Sequence, residues 1–325
     1  MFDAHHDLLS IAYKAYLTGD YSYLEKISKS FNSHNVKGAI ANLYFMSIDE
    51  MKAELGDDYY KRDVSVYEMF VKAKEVLDTF IPDAEFIYSI EGADYIEDEN
   101  ELEKLYDAGL DSIILCWNTK SKYGSGNRSN DGLTKEGERL VNKAIDLGMG
   151  IDLSHANKNT FYDLVELISK RQKEGSKVCC YASHSNSRAI CDVDRNLDDE
   201  QLKIIKEIDG LVGAVTVKDF IKDGDIDEST DYKKLFLDHI EHISEIMGTY
   251  DVIVASDDMN FLNDVVPYDG KLAVYDYSNI NKEMFFDLVS RFGLKNAYAI
   301  SYNNLKSKIY NVLKYNRESK KRGVR

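Results

Sequence analysis

Residues 134–155 read TKEGERLVNKAIDLGMGIDLSH. Thr134 can cap a helix running to Leu147, although Glu138 stands one residue later than a capping box wants. Gly148 follows, where a left-handed helix cap favours Gly. Met149 to Ser154 (MGIDLS) is then a short apolar run of strand length, and His155 stands directly after it. Helix, Gly, strand and a polar residue with ligand chemistry at the strand's C-terminal end make one unit of an α/β fold.

The same unit recurs along the chain. Strand-length apolar runs are Val36 to Phe45, Ala84 to Ile90, Leu110 to Trp117, Lys177 to Ser183, Leu211 to Val217 and Tyr250 to Ser256. With Met149 to Ser154 and the N-terminal stretch they number eight. They are nearly continuous rather than alternating, as suits parallel strands buried on both faces. Helical periodicity fills the gaps: Tyr59 to Phe80, a helix capped by Asn157 or Asn159 and running to about Lys173, Asp198 to Ile208, and Tyr232 to Met247. Gly175, Gly210 and Gly248 fall just past helical segments, as Gly148 does. Eight such repeats predict a (β/α)₈ TIM-type barrel, with an open doubly wound sheet as the structural rival. Helices from about Asn281 to Phe292 and from about Asn303 would close it. A single domain over residues 1–315 is expected, followed by a basic C-terminal tail over 316–325. The segment Asn118 to Gly132, rich in Gly, Ser and Asn, reads as a mobile loop over one end of the barrel.

Active sites of such barrels sit at the C-terminal ends of the strands. There the sequence places His5 and Asp7, Glu91, Asn118, His155, His184 and Asp257. Four of the chain's seven His (His5, His6, His155, His184) lie at this edge. In an extended segment His5 and Asp7 leave one face and His6 the other. His155 and His184 are one βα unit apart, and Glu91 precedes His155 by about two. Two His, a His-x-Asp pair and an intervening Glu are enough to hold two divalent metals, with Glu91 giving one oxygen to each. Nitrogen and oxygen ligands suit zinc, with manganese, iron or cobalt as alternatives. Two such ions share a water, lower its pKa and polarise a scissile carbonyl, which is hydrolysis without a Ser or Cys nucleophile.

These segments also resemble a known family. Asp3-Ala4-His5-His6-Asp7-Leu8, Ile90-Glu91-Gly92, Gly132-Leu133-Thr134 with Gly137, Ile151-Asp152-Leu153-Ser154-His155, Ser183-His184-Ser185 and Arg195-Asn196-Leu197 with Asp199 are similar, in order and spacing, to the motifs of the membrane dipeptidase (renal dipeptidase) zinc metallopeptidases. The resemblance covers residue 3 to about residue 310. It implies a metallo-dependent hydrolase barrel holding two zinc ions bridged by Glu91 and a water or hydroxide. His5, Asp7 and Glu91 would serve one ion, and Glu91, His155 and His184 the other. It also implies that Arg195 grips the substrate's free carboxylate and that Asp257 passes a proton to the leaving amine. A guanidinium fork suits a carboxylate physically. Two departures stand out. Ala255-Ser256-Asp257-Asp258-Met259-Asn260 keeps the first Asp of the family's GSDFDG but loses the second and the Gly, leaving Asp258 as a stand-in for Asp257. Cys116-Trp117-Asn118 replaces an oxyanion-binding His, so that Trp117 or Asn118 is expected to line the substrate pocket.

Composition bounds the rest. A formal net charge of -16 argues against a nucleic-acid partner. No apolar run approaches the ~20 residues of a membrane span, and the N-terminus carries no secretory pattern. Four Cys without a CxxC pair fit a reducing compartment. The expectation is therefore a cytoplasmic zinc dipeptidase that acts on dipeptides without a membrane partner, with a homodimer suggested by the resemblance. The alternatives are another binuclear barrel hydrolase, for a lactone, cyclic amide or phosphoester, and a catalytically inactive metal-binding barrel.

Overall fold

The computed structural model describes residues 1–45, 64–225, 227, 229–256, 273–275 and 280–323. Eight parallel strands form one sheet in strict sequence order: β1 (Phe2–His6), β2 (Gly38–Tyr44), β3 (Glu85–Glu91), β4 (Ser112–Ile114), β5 (Gly150–Asp152), β6 (Cys179–Ala182), β7 (Leu211–Val215) and β8 (Val252–Ala255). The two ends of the sheet meet through side chains. Ser256, just past β8, donates its backbone N–H to Asp3 Oδ1 of β1 at 2.9 Å, and its hydroxyl also bonds that carboxylate. The fold is thus a (β/α)₈ barrel, as the repeat predicted, and not an open sheet.

Helices cross between the strands: α1 (Leu8–Thr18) and α2 (Ser22–His34), α3 (Val66–Phe80), α4 (Glu99–Ala108), α5 (Lys135–Leu147), α6 (Lys158–Lys173), α7 (Asp199–Glu207) and α8 (Tyr232–Met247), followed by α9 (Ile280–Tyr298) and α10 (Asn311–Lys321). Local chemistry sets several boundaries. Ser65 and Glu68 form a capping box, so α3 begins at Val66; of the helix expected from Tyr59, residues 59–63 lie outside the described residues. Thr134 accepts from Gly137 N, but Gly137 occupies the position whose side chain would return the bond, so no box forms at α5. Asn157, rather than Asn159, caps α6. Gly148 and Gly248 take the left-handed caps. After α7 the left-handed residue is Asp209 and not Gly210. Gly293 breaks α9 one residue past the expected end.

The larger apolar core lies between strands and helices and includes Leu8, Phe70, Leu77, Leu105, Ile113, Phe161, Ile205, Phe236 and Leu288. A second cluster fills the barrel toward the N-terminal ends of the strands. There Phe2, Ile40, Ile87, Tyr181, Leu211 and Ile253 meet Leu305, Ile309 and Leu313 of the closing helical segment. That segment does not end as a solvated tail at residue 316. It stays helical to Lys321, with Asn316 and Ser319 buried and Arg317 paired to Asp111.

The segment 118–132 differs from expectation too. It is a packed cover: Gly126 donates to Thr119 O, Asn157 binds Ser125 O, Ser129 O and Asp131 O, and Tyr123 is buried. Gly126 lies so close to the strand end that an added Cβ would sit 1.6 Å from Trp117 O, which admits no side chain. Among the described residues no helix is long and apolar enough to cross a membrane.

Candidate metal centre

Glu91 ends β3 and is 3% exposed. Three imidazoles converge on it. His5 Nε2 lies 3.1 Å from Oε2, His155 Nε2 2.7 Å from Oε1 and His184 Nε2 3.8 Å from Oε1. The Nε2 atoms of His155 and His184 are 2.9 Å apart, and the His5 and His184 rings lie 3.7 Å apart. Ligand atoms of His5, Glu91 and His184 all fall within 4.8 Å of one another. Asp7, just past β1, brings Oδ1 to 3.9 Å from His5 Nε2.

Three backbone features build this cluster. A register shift between Asp3 and His6 lies within β1, at the level of His5. His155 adopts φ 68°, a left-handed conformation that a non-Gly residue rarely takes. Asp152 ties the ends of β5 and β6 together, since its Oδ1 accepts from the backbone N–H groups of Ser154 and Ser183, both at 3.0 Å. Asp3 does the same between β1 and β8 with His5 N and Ser256 N. The ligand-bearing strand ends are therefore held to their neighbours by buried carboxylates as well as by the sheet.

Each ring's far nitrogen has a partner. His155 Nδ1 is 3.0 Å from Asn118 Oδ1, His184 Nδ1 is 2.7 Å from Ser183 Oγ, and His5 Nδ1 is 3.1 Å from Asn42 Nδ2. A carbonyl acceptor at Nδ1 puts the His155 proton there and leaves the Nε2 lone pair pointing at Glu91. Burial, then the Arg195 guanidinium, lowers the His155 pKa to about 4 against the pull of Glu91. Burial, followed by His5, Arg195 and His155, lowers His184 well below its ordinary value. Burial pushes the Glu91 carboxyl up, but the charges and hydrogen bonds of His5 and His155 outweigh it and hold it below the carboxylate range. Near neutral pH Glu91 is thus ionised and the His155 and His184 imidazoles are neutral. The His155 Nε2 lone pair and the Glu91 oxygen, aimed at each other at 2.7 Å, repel unless a cation lies between them, so the donor set fits a divalent metal.

Arg195 reaches the same place. It is 8% exposed, donates to His184 O at 3.3 Å, lies 3.1 Å from His155 Nε2 and covers the Phe220 ring at 5.3 Å. A cavity of about 190 Å³ opens beside it, lined by His155, Arg195, Asn127, Ser129, Asn157 and Arg188 among others. Trp117 packs edge-on against Tyr44, with its ring 6.2 Å from that of His155. Asn118, expected in the substrate pocket, instead holds the back of His155. Asp257 and Asp258 lie outside the described residues. Sequence reasoning missed Asn42, Asp152 and Ser183. Asn42 carried a signal, as an amide inside an otherwise apolar strand.

The family model for membrane dipeptidases (peptidase family M19) matches residues 58–285. The chain belongs to this family. An uncharacterized protein in the pqqA 5′ region of Klebsiella pneumoniae is 33% identical over 178 residues, which is 52% of this chain and 62% of that protein. An uncharacterized dipeptidase of Schizosaccharomyces pombe is 29% identical over 170 residues, 51% of this chain and 39% of that one. The match to these curated relatives thus spans less than two thirds of their own length. In fold, this M19 chain is similar to a metallopeptidase from Rhodobacter sphaeroides liganded with a phosphinate mimic of the dipeptide L-Ala-D-Ala (TM-score 0.71, 20% identity, covering 96% of this chain and 98% of that one). It is also similar to the M19 metallopeptidase dipeptidase AC (TM-score 0.69, 20% identity, 96% and 97%).

Proposed function

We propose that this M19 chain is a zinc-dependent dipeptidase. The observation that carries the proposal is the convergence of the His5, His155 and His184 Nε2 atoms on the two oxygens of one buried glutamate. His5, Asp7 and Glu91 would hold one ion, and Glu91, His155 and His184 the second. When bound, the metal pair supplies a Lewis acid for the peptide carbonyl and makes a water acidic enough to attack near neutral pH.

The chain's own residues do the rest. Arg195 offers its guanidinium to the free carboxylate of the substrate, in a site dry enough for that contact to count. Trp117, edge-on to Tyr44 and 6.2 Å from the His155 ring, borders the site. Asn118 holds the His155 proton on Nδ1. Asp257 passes a proton to the leaving amine. Because Arg195 grips one terminus, a peptide lengthened at its C-terminus loses that contact. Four free, buried cysteines support a reducing, cytoplasmic setting.

The test pairs elemental analysis with a peptide panel. About two zinc ions per chain are expected, with dipeptides turned over and their C-terminal amides and tripeptides left intact. A folded protein that retains no metal after gel filtration would overturn the reading.

A further inference from the structure

Asn42 is fully buried on β2. Its Nδ2 lies 3.1 Å from His5 Nδ1 and makes only a long contact, 3.4 Å, with Ile40 O. Its Oδ1 is buried and has no hydrogen-bond partner among the described residues. With the NH₂ group facing Nδ1, that nitrogen accepts, and the His5 proton sits on Nε2, where Glu91 Oε2 receives it at 3.1 Å. This tautomer has no lone pair at Nε2.

A His5 that binds metal through Nε2 needs the opposite arrangement, with the proton on Nδ1. That N–H would then point at the Asn42 NH₂, donor against donor. Keeping the amide as it stands would require an imidazolate. Ser183 Oγ also lies near His5 Nδ1, but at 3.4 Å, a longer and weaker contact than its 2.7 Å to His184 Nδ1.

We infer that Asn42 is a positioning residue whose amide turns over when the metal centre loads, so that Oδ1 accepts the Nδ1–H of His5. The exchange gives up the long contact with Ile40 O and moves the NH₂ group to the buried position where Oδ1 now stands unpartnered among the described residues, a cost the metal bond at His5 Nε2 has to exceed. It brings His5 into line with His155, whose Nδ1 already faces the carbonyl oxygen of Asn118. Asn42 therefore selects the tautomer, and with it the affinity, of one half of the centre. The inference rests on the metal reading proposed above.

The test uses zinc-loaded wild type, Asn42→Leu and Asn42→Asp. Long-range ¹⁵N–¹H spectra should show His5 protonated on Nδ1 in the loaded wild type and on Nε2 after chelation. Competition with a chelator should show Asn42→Leu holding zinc about 10–100-fold more weakly, while Asn42→Asp, which can only accept, holds it as tightly as wild type or more so. A residue that merely packs predicts the reverse order, with the leucine variant unchanged. Two zinc ions in both wild type and Asn42→Leu, equally tight, would overturn this inference and leave the metal reading standing. No zinc in wild type would overturn both. If Asn42→Asp does not fold, a loaded wild type with the His5 proton still on Nε2 overturns the inference by itself.

Discussion

The two ends of the barrel bury charge in opposite ways. At the lower end, where the strands begin, Asp111 is 2% exposed and meets Lys314 Nζ at 2.9 Å and the Arg317 guanidinium at 3.0 Å, while Tyr88 N–H donates to it at 3.2 Å. Arg317 spends its remaining donors on Leu110 O and Tyr106 O. Lys308 pairs with Asp251. Each of these anions has a cation supplied by the chain, and an apolar plug lies beneath. At the upper end Glu91 meets three imidazoles, and Arg195 is the only cation other than the histidines themselves in contact with the cluster among the described residues. Charge balanced within the chain stabilises the fold, whereas charge left for an external cation to balance makes a site.

The largest expected effect removes the upper anion. Glu91→Gln should lose at least one metal ion and about 10³-fold or more in kcat/KM, while its metal-free form melts no lower than the metal-free wild type. A variant with full metal content and activity would erase the contrast. Arg195→Ala should cost about 10²–10³-fold in kcat/KM on free dipeptides, the loss of one desolvated charge-assisted contact. Zinc content should stay intact, and an unchanged kcat/KM on free dipeptides would count against the carboxylate role.

At the lower end, Asp111→Ala leaves two cations facing each other. It should cost about 3 kcal/mol in urea unfolding, softened by the partial exposure of Lys314, with activity per folded molecule unchanged.

The smallest effect sharpens the comparison, because it concerns a histidine in the upper half that is satisfied by the backbone. His239 Nδ1 accepts from Ser187 N at 3.1 Å, and its Nε2 donates to Ile221 O at 3.0 Å. Burial lowers its pKa to about 4, opposed by the hydrogen bond to Ile221 O and by Asp238 and Asp223, with His242 adding to the shift. The unfolded chain therefore takes up the proton first as pH falls. The stability His239 contributes is whole above about pH 6.5 and is lost as pH drops toward 4, about 2 kcal/mol between pH 7 and pH 5. His239→Gln should flatten that slope in thermal melts.

Much of this was legible in the sequence. The strand runs, Gly148, Gly248 and the limits of α8 follow from periodicity and local backbone preference, which act over a few residues. His5, Glu91, His155 and His184 were legible as strand-end residues because parallel strands put their C-terminal ends on one rim. Asn42, Asp152 and Ser183 were not, because their work depends on which neighbouring strand each side chain meets, and spacing carries no such information. Asn118 shows the same limit from the other side: its position was read correctly, but its oxygen turned to His155 rather than to the pocket. The cover over 118–132 looked loose by composition, yet its glycines permit close backbone approach. The segment after residue 316 looked like tail because its basic residues advertise solvent, while Asp111, the partner of Arg317, lies some two hundred positions earlier.

The seam between Asp3 and Ser256 has a consequence for the order of events in folding. The two residues are 253 positions apart, so this closure is among the most non-local contacts in the molecule. Loop-closure entropy makes such contacts late. During synthesis His5, Glu91, His155 and His184 would all have emerged from the ribosome before the seam that fastens the first of their strands could form. A nascent chain would carry its candidate ligands on an unsealed sheet, open to premature metal capture, until β8 arrives to hold β1 in place.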